Sequence, residues 1–204
     1  TLVVNADDII SSLIKPNNKK VTFGIARLAH EKDNIDCLIH DAKHCPVCFY
    51  PLTYTFTRYH HIGHVHCSVC GFTNLTSDVL IQRSNLKKHN ASGIAFNQPF
   101  TLPFDQQSIM ELYNRLAALT GLLALGYELH SIEDTMNQIE TVKTRYHHTT
   151  VNDKEIVLIL AKDQNPIACS RVFEVVSLDQ TKKAAILLIN EQNVTNVESE
   201  NMAW

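Results

Sequence analysis

Short runs of apolar residues and amphipathic stretches alternate along the chain, and the two patterns predict strands and helices in turn. Buried strands are predicted at 1–5, 19–25, 154–162 and 184–190, with shorter strands at VLIQ, GIAFN and FTLPF after the first third of the chain. Continuous apolar strands between helices are typical of a parallel sheet that is covered on both faces. The pattern therefore predicts an α/β protein.

The clearest helical signal covers 108–126. Ser108 stands at the N-cap position and Glu111 follows three residues later, which completes a capping box, and Gly126 ends the apolar repeat. A second helix is predicted at about 131–143, where Ser131 and Asp134 occupy the same two capping positions. Residues 9–15 are only weakly helical, and a third helix is predicted at 170–179.

Four cysteines give the strongest chemical signal, because they form two C-x-x-C pairs. Cys45 and Cys48 are separated from Cys67 and Cys70 by 18 residues, which is a zinc-ribbon spacing. A C-x-x-C turn places two thiolates on one side of a tetrahedral Zn²⁺, and two such turns complete the ligand set. The intervening residues alternate apolar and polar around a turn at 61–63, which predicts a β-hairpin. We expect a structural zinc ion, since four thiolates leave no open coordination position.

Other readings of these cysteines are less favoured by the residues around them. Two disulfides would need an oxidising compartment, a thioredoxin-type pair would not occur twice, and a zinc deaminase would need an H-x-E motif that is absent. One of the five nearby histidines could replace a cysteine ligand; these are His44, His60, His61, His64 and His66. Cys37 and Cys169 have no partner at metal spacing and are interpreted as small apolar residues.

Length and charge narrow the possible functions. The 204 residues carry 18 Lys and Arg against 21 Asp and Glu, whereas a general nucleic-acid coat is normally basic. No apolar run approaches the roughly 18 residues that span a bilayer. The first residues, TLVVNADD, lack a basic start and a small-residue cleavage site, so we expect a cytoplasmic protein without a secretory leader. A strand at the first residue without an initiator Met suggests part of a longer protein.

Three motifs in this order resemble the Mur ligases: VVNADD at 3–8, FGI at 23–25 and YNRLAA at 113–118. One branch of that family carries a zinc ribbon directly after FGI, and DAKHCPVC at 41–48 with HIGHVHCSVCGF at 61–72 is similar to it. The resemblance continues to LILAKDQNP and ILLIN in the last quarter of the chain. It implies a Mur ligase central-domain portion at 1–140, with the ribbon inserted at about 41–74, and the start of a Rossmann-like C-terminal domain at 141–204.

The resemblance also implies a function. The ribbon-containing branch works with a glutamine amidotransferase subunit and uses ATP and Mg²⁺ to amidate the D-glutamate α-carboxylate of lipid II, at the inner face of the membrane. In the family the Asn of YNxxAA contributes to the adenine site, which maps onto Asn114. Asn5 and Asp7 follow a predicted strand at its carboxyl end, where ligands gather, and are candidates for the same nucleotide site, although a loop-capping role is an equal alternative.

The sequence also departs from the family pattern. The phosphate-binding loop G-x-x-x-x-G-K-[ST] and its acidic Mg²⁺ ligands do not occur in the 204 residues, so this chain alone is expected to be inactive. Glu111 replaces the first Asn of the family's N-x-x-N pair, Asp163 and Gln164 interrupt its Lys-Asn-Pro element, and the tail NVTNVESENMAW lacks its aspartates. Two alternatives therefore stay open: a non-catalytic zinc-ribbon module that binds protein or nucleic acid, and a degenerate Mur ligase paralogue.

Overall fold

The computed structural model describes residues 1–15, 17–29, 31, 42–85, 87–104, 109–139 and 146–159, together with a few isolated positions between 169 and 186. The contacts between Cα atoms divide the chain into two compact units, Thr1–Glu140 and Thr141–Trp204. Most of the predicted strand at 184–190 and most of the predicted helix at 170–179 lie outside the described residues, as does Cys37.

The first unit contains seven strands and two helices in its described part. The strands are β1 (Leu2–Asn5), β2 (Lys20–Ile25), β3 (Thr53–Tyr59), β4 (Ile62–His66), β5 (Val79–Asn85), β6 (Asn90–Ala95) and β7 (Gln98–Pro103). The helices are α1 (Ile109–Ala124) and α2 (Leu129–Gln138), and a short 3-10 turn covers Ser11–Leu13 where the sequence is weakly helical. The α/β class is therefore confirmed.

Five of these strands form one sheet in the order β1-β2-β5-β6-β7, and this sheet is mixed. The pairs β1–β2 and β2–β5 are parallel, whereas β5–β6 and β6–β7 are antiparallel, so the prediction of a parallel sheet is wrong for half of the pairings. The physical reason is a tight connection. Phe96 and Asn97 alone join β6 to β7, and both have positive φ (46° and 69°), which is the backbone of a two-residue hairpin turn.

Helix α1 follows the predicted pattern closely. Leu112, Leu116 and Leu119 are fully buried on one side of it, and Gly126 ends the helical region with φ of 92°, a conformation that glycine adopts without steric cost. The proposed N-cap, Ser108, lies outside the described residues.

Helix α2 begins two residues earlier than predicted. Glu128 is the N-cap residue with extended backbone, so Ser131 and Asp134 are inside the helix and do not cap it. The side chain of Leu129 is 8% exposed and belongs to the hydrophobic core. Burial of this leucine in the first turn therefore decides where the helix starts, and it overrides the capping preference of serine.

The core of the first unit lies between the sheet and the two helices. On β5, β6 and β7 the buried side chains alternate with exposed ones, so one face of these strands is covered. Helix α1 packs against β1, β2 and β7, and α2 packs against β7 and α1. Tyr59 and Ile62, from the turn end of the β3–β4 hairpin, are members of the same core cluster. The ribbon hairpin is thus packed into the main core at one end.

The longest described stretch of the second unit is an antiparallel hairpin of β8 (Tyr146–Val151) and β9 (Lys154–Ile159). Asn152 and Asp153 form its turn with φ of 50° and 60°. The strand predicted as buried at 154–162 is instead exposed in its described part: Ile156 and Leu158 are 49% and 56% exposed. An apolar run can form a strand without being covered on both faces, since backbone pairing in a hairpin needs only one neighbour.

Candidate metal centre and the buried carboxylate of Asp7

The two C-x-x-C turns have the same backbone geometry. The amide of Cys45 donates to the carbonyl of Tyr50 (2.7 Å), and the amide of Cys67 donates to the carbonyl of Phe72 (2.8 Å). Each turn is further closed by an isolated bridge between flanking residues, His44 with Pro51 and His66 with Thr73. The two turns are therefore matching halves of one ribbon, 22 residues apart in the sequence.

The four predicted cysteines converge. The sulfur atoms of Cys45, Cys48, Cys67 and Cys70 all lie within 4.8 Å of one another. The Cys45–Cys70 and Cys48–Cys67 sulfur distances are both 3.5 Å, close to the edge of about 3.8 Å expected for a tetrahedron with metal–sulfur bonds of about 2.3 Å. The cluster contains no histidine, so among the described residues no histidine replaces a cysteine. The donor set fits a thiophilic divalent ion such as zinc.

The thiols have unequal acidities without a metal. The backbone amide of Cys70, with that of Val69, lowers the pKa of Cys67 to about 6. The pKa of Cys70 is raised to about 12, because desolvation and the three neighbouring sulfurs outweigh the backbone amide of Phe72 that favours its thiolate. Four thiolates in this space repel one another, and a divalent cation removes that repulsion.

Two histidines of the ribbon contact the end of β1 instead. Nε2 of His61 lies 3.1 Å from Oδ1 of Asp8, and Nε2 of His64 lies 3.4 Å from Oδ1 of Asp7. Although burial acts to raise the pKa of Asp8, the hydrogen bonds from His61 and from the amides of Ser11 and Ile10 lower it overall. These histidines therefore join the hairpin to the NADD segment.

Backbone contacts fasten the hairpin at the same place. The amide of Gly63 donates to the carbonyl of Asp7 (3.1 Å). The side chain of Asn74 donates to the carbonyls of Ala6 (2.8 Å) and Gly63 (3.0 Å), and its oxygen accepts from the amide of Val65 (2.7 Å). One end of the hairpin carries the cysteines, and the other is hydrogen-bonded to the end of β1.

Arg58 is buried beside this junction, at an irregularity of the hairpin. The register of β3 and β4 shifts between Thr57 and Tyr59, so Arg58 is the extra residue of a β-bulge. Bulges re-aim side chains and are frequent next to functional sites. A Cβ on Gly63 would lie 2.2 Å from the carbonyl oxygen of Phe56, so only glycine permits this close approach of the two strands.

The guanidinium of Arg58 makes contacts in several directions, and its side chain is 2% exposed. It forms a bidentate pair with Glu31, at 2.6 Å and 2.9 Å, and lies 3.4 Å from Oδ2 of Asp7. It also donates to the carbonyls of Ile25 and Ala26 and to the hydroxyl of Tyr113. Burial alone would lower its pKa, but the pairing with Glu31, Tyr113 and Asp7 raises it, so it is always protonated.

Asp7 is the point at which the three sequence motifs meet. Its Oδ2 accepts hydrogen bonds from the amide of Ile25 (2.8 Å) and from the hydroxyl of Tyr113 (2.6 Å). A Cβ on Gly24 would lie 2.9 Å from Oδ1 of Asp7 and 2.5 Å from Oγ of Ser77, so the glycine of FGI leaves room for this carboxylate. NADD, FGI and YNRLAA are thus linked through one side chain that is 4% exposed.

The predicted nucleotide-site residues lie in different environments. Asn114 is exposed on α1, next to the buried Tyr113. Asn5 is half-buried and its side-chain oxygen accepts from the amide of Asp7 (3.0 Å), which is the loop-capping role. Glu111, at the departure from the family pattern, pairs with Arg115 (2.8 Å) one helical turn later.

The sequence did not lead us to predict that Arg58, Tyr113 and Glu31 belong to this site. A signal for Arg58 was present, because the alternation of Leu52, Tyr54 and Phe56 places residue 58 on the same face of the strand. A charged residue on the apolar face of a strand indicates a buried ion pair.

Comparison with known proteins gives the following matches. The chain is 26% identical over 194 residues to the MurT subunit of a lipid II isoglutaminyl synthase (glutamine-hydrolyzing) from Staphylococcus aureus strain COL, and the match covers 93% of this chain and 42% of that protein. The MurT subunit from Streptococcus pneumoniae strain R6 is 24% identical over 177 residues, covering 86% and 37%. No protein-family model matches.

The chain spans less than half the length of these curated relatives. Among solved structures, a pseudomurein peptide ligase type C from Methanothermus fervidus superposes with a TM-score of 0.70 at 23% identity, over 86% of this chain and 34% of that one. This second comparison concerns the fold alone. The sequence similarity and the shared fold together confirm the resemblance predicted from the motifs, and the chain has a Mur-ligase-like fold with sequence similarity to the MurT subunits.

Proposed function

We propose that the chain is part of an ATP-dependent, ligase-like subunit that acts with a glutamine amidotransferase subunit to amidate the D-glutamate α-carboxylate of lipid II. The similarity over 93% of the chain to a MurT subunit of lipid II isoglutaminyl synthase carries this proposal. In the reaction ATP converts the carboxylate to an acyl phosphate, and ammonia released from glutamine displaces phosphate to form the amide. Activation is needed because a carboxylate anion has no leaving group.

Each part of the chain has a place in this proposal. Residues 1–140 would belong to the central ligase domain, with the ribbon at about 41–74 held by structural zinc, and residues 141–204 would begin the C-terminal Rossmann-like domain. ATP and Mg²⁺ would be bound mainly by a phosphate loop, which the 204 residues do not contain. The reaction would take place in the cytoplasm, at the inner face of the membrane where lipid II is held.

We further propose that Asn114 contacts the adenine end of the nucleotide, since its side chain is exposed and its helix is fixed through Tyr113. Asn5 and Asp7 would border the same site. Because their oxygens already accept internal hydrogen bonds, we propose that they hold its wall in place and leave phosphate binding to other groups. For the 204 residues alone we predict neither tight ATP binding nor ATP hydrolysis, since a contact to the base cannot offset the roughly 4–15 kcal/mol lost on association.

One finding argues against the alternative of a nucleic-acid-binding ribbon. Within the described residues 42–77, Lys43 and Arg58 are the only Lys or Arg side chains, and Arg58 is buried in ion pairs. A surface that follows a phosphate backbone needs several exposed cations. No helix in the described part of the chain is long and apolar enough to cross a membrane.

The experiment is reconstitution of the reaction with the complete polypeptide encoded by the parent gene. The protein is mixed with its amidotransferase subunit, lipid II, ATP, Mg²⁺ and glutamine labelled with heavy nitrogen in the side-chain amide, and lipid II is analysed by mass spectrometry. The proposal predicts ATP-dependent transfer of the label to lipid II. Asn114→Ala should raise KM for ATP, whereas Asn137→Ala, at an exposed position of α2, should not. No label in lipid II with both subunits folded and zinc-loaded would favour the degenerate paralogue.

A further inference from the structure

The ribbon contacts two of the ligase motifs through a single side chain. The bulge between Thr57 and Tyr59 directs Arg58 out of the hairpin and into the space between the end of β1 and helix α1. There the guanidinium donates to the hydroxyl of Tyr113 and lies 3.4 Å from the carboxylate of Asp7. The ring of Tyr113 also lies under the guanidinium, 5.6 Å from its central carbon, which adds a cation–π contact.

The next residue on α1 is Asn114, so the contacts that fix Tyr113 also anchor the backbone from which the Asn114 side chain projects. Tyr113 is 5% exposed and its hydroxyl lies between two charged groups, accepting from Arg58 and donating to Asp7. The hydroxyl of a tyrosine held in this way cannot move away without breaking both hydrogen bonds in a buried site. A shift of the helix backbone at Tyr113 also moves the backbone of Asn114, because the two residues are consecutive in one helix.

The cysteines fix the opposite end of the same hairpin. Strand β3 begins five residues after Cys48, and β4 ends at the residue before Cys67, so a metal at the sulfurs restrains both strands. A hairpin is marginally stable in isolation, and a bound ion supplies folding free energy that the metal-free ribbon lacks. Metal binding therefore stabilises the bulge, and the bulge fixes the position of Arg58.

We infer that Arg58 is a positioning residue through which the metal-loaded ribbon sets the orientation of Asn114 and thereby the affinity of the site for ATP. This inference rests on the proposed nucleotide role of Asn114. Because coupling between two binding sites is reciprocal, ATP should also raise the affinity of the ribbon for zinc. A ribbon that only stabilised the fold would lower the amount of active protein and would leave the KM of the remaining protein unchanged.

The test compares variants of the complete protein with its amidotransferase subunit. Arg58→Lys keeps the charge and loses the planar fork that contacts Glu31, Asp7 and Tyr113 together. Because a change at such a buried site can prevent folding, Tyr113→Phe serves as a second variant that keeps the ring and removes only the hydroxyl. Arg83→Lys, at an exposed position of β5, is the matched control. For each protein we would measure KM for ATP, kcat, and the zinc affinity from competition with a chromophoric chelator, with and without ATP.

The inference predicts that Tyr113→Phe, and Arg58→Lys if it folds, raise KM for ATP by about fivefold with kcat within about twofold of the parent. It predicts that ATP raises the zinc affinity of the parent protein and of Arg83→Lys, and that this effect is lost in the other two variants. Unchanged KM in Tyr113→Phe, or an ATP-dependent rise in zinc affinity that persists in it, would overturn the inference while leaving the proposed function intact. A parent protein that binds no ATP would contradict the proposed function and the inference together.

Discussion

The hydroxyl of Tyr113 donates a 2.6 Å hydrogen bond to the buried Oδ2 of Asp7, and this contact joins residues 106 positions apart in the sequence. Asp7 lies in the NADD motif, two residues after the end of β1, and Tyr113 begins the YNRLAA motif on α1. The same oxygen accepts from the amide of Ile25 in FGI. The motifs that carry the family resemblance are therefore parts of one structural unit, built around a carboxylate.

Removing the Tyr113 hydroxyl tests how much its hydrogen bond to Asp7 contributes to the free energy of unfolding. Burial, together with the charge of Asp7, raises the pKa of Tyr113 well above its ordinary value, so the hydroxyl remains a hydrogen-bond donor at neutral pH. Tyr113→Phe should lower the free energy of unfolding by about 1.5–3 kcal/mol, the range for a hydrogen bond to a charged group. Urea unfolding checks this, with Tyr127→Phe as control because Tyr127 is 60% exposed. Equal stability of the two variants would mean that the Tyr113–Asp7 contact contributes little.

Gly24 tests the space around the same carboxylate. A Cβ at this position would meet Oγ of Ser77 and Oδ1 of Asp7, so Gly24→Ala should destabilise the protein by about 1–3 kcal/mol. Gly121→Ala is the control, because a Cβ there meets nothing within 4 Å and alanine favours the helix, which should stabilise by about 0.5–1 kcal/mol. In thermal unfolding, Gly24→Ala should lower the melting temperature and Gly121→Ala should raise it. A Gly24→Ala variant that is more stable than the parent would contradict the proposed steric crowding.

The features that the sequence predicts well are those set by local pattern. Strands β1 and β2, helix α1 and the cysteine cluster follow from apolar runs, helical spacing and C-x-x-C spacing. The antiparallel half of the sheet was not predictable from the same runs, since an apolar strand can pair in either direction. Nor was the bulge at Arg58, which depends on how β3 and β4 pair in three dimensions. The start of α2 was missed because burial of Leu129 outweighs local capping.

The two cysteine turns differ at one equivalent position, and this difference predicts their stability. Phe49 has φ of 59° and is 77% exposed, whereas Gly71 occupies the matching place with φ of 72°. A left-handed conformation costs a residue with a side chain roughly 1–2 kcal/mol, which glycine avoids. Phe49→Gly should therefore strengthen metal retention and Gly71→Ala should weaken it, as measured by zinc competition with a chelator. If zinc retention rose in both variants, or fell in both, the two turns would not be structurally equivalent.

Zinc binding should also depend on pH in a predictable direction. In the metal-free cluster the pKa of Cys70 is raised to about 12, so its thiol is protonated at neutral pH, whereas the pKa of Cys67 is about 6. Zinc requires thiolates and displaces these protons, so its affinity should rise with pH. Below about pH 6 Cys67 also takes up a proton, and the affinity should fall more steeply. Competition titrations across this range, corrected for the chelator's own protonation, check the prediction, and an affinity that does not vary with pH would exclude a thiolate site.

The ribbon is part of the core of the first unit, because Arg58, Tyr59 and Ile62 connect it to Asp7 and to the hydrophobic cluster. An insertion that is independent of this core would instead unfold first when the metal is lost.

Hydrogen exchange at the amide of Ile25 tests this claim most directly, since that amide donates to Oδ2 of Asp7 at 2.8 Å and lies outside the ribbon. We predict that removing zinc speeds exchange at Ile25 together with exchange in the hairpin, while the amide of Leu102 in β7 changes less. Exchange at Ile25 that is unaffected by zinc removal, with the hairpin fully unprotected, would show that the ribbon is an independent insertion and would contradict the claim.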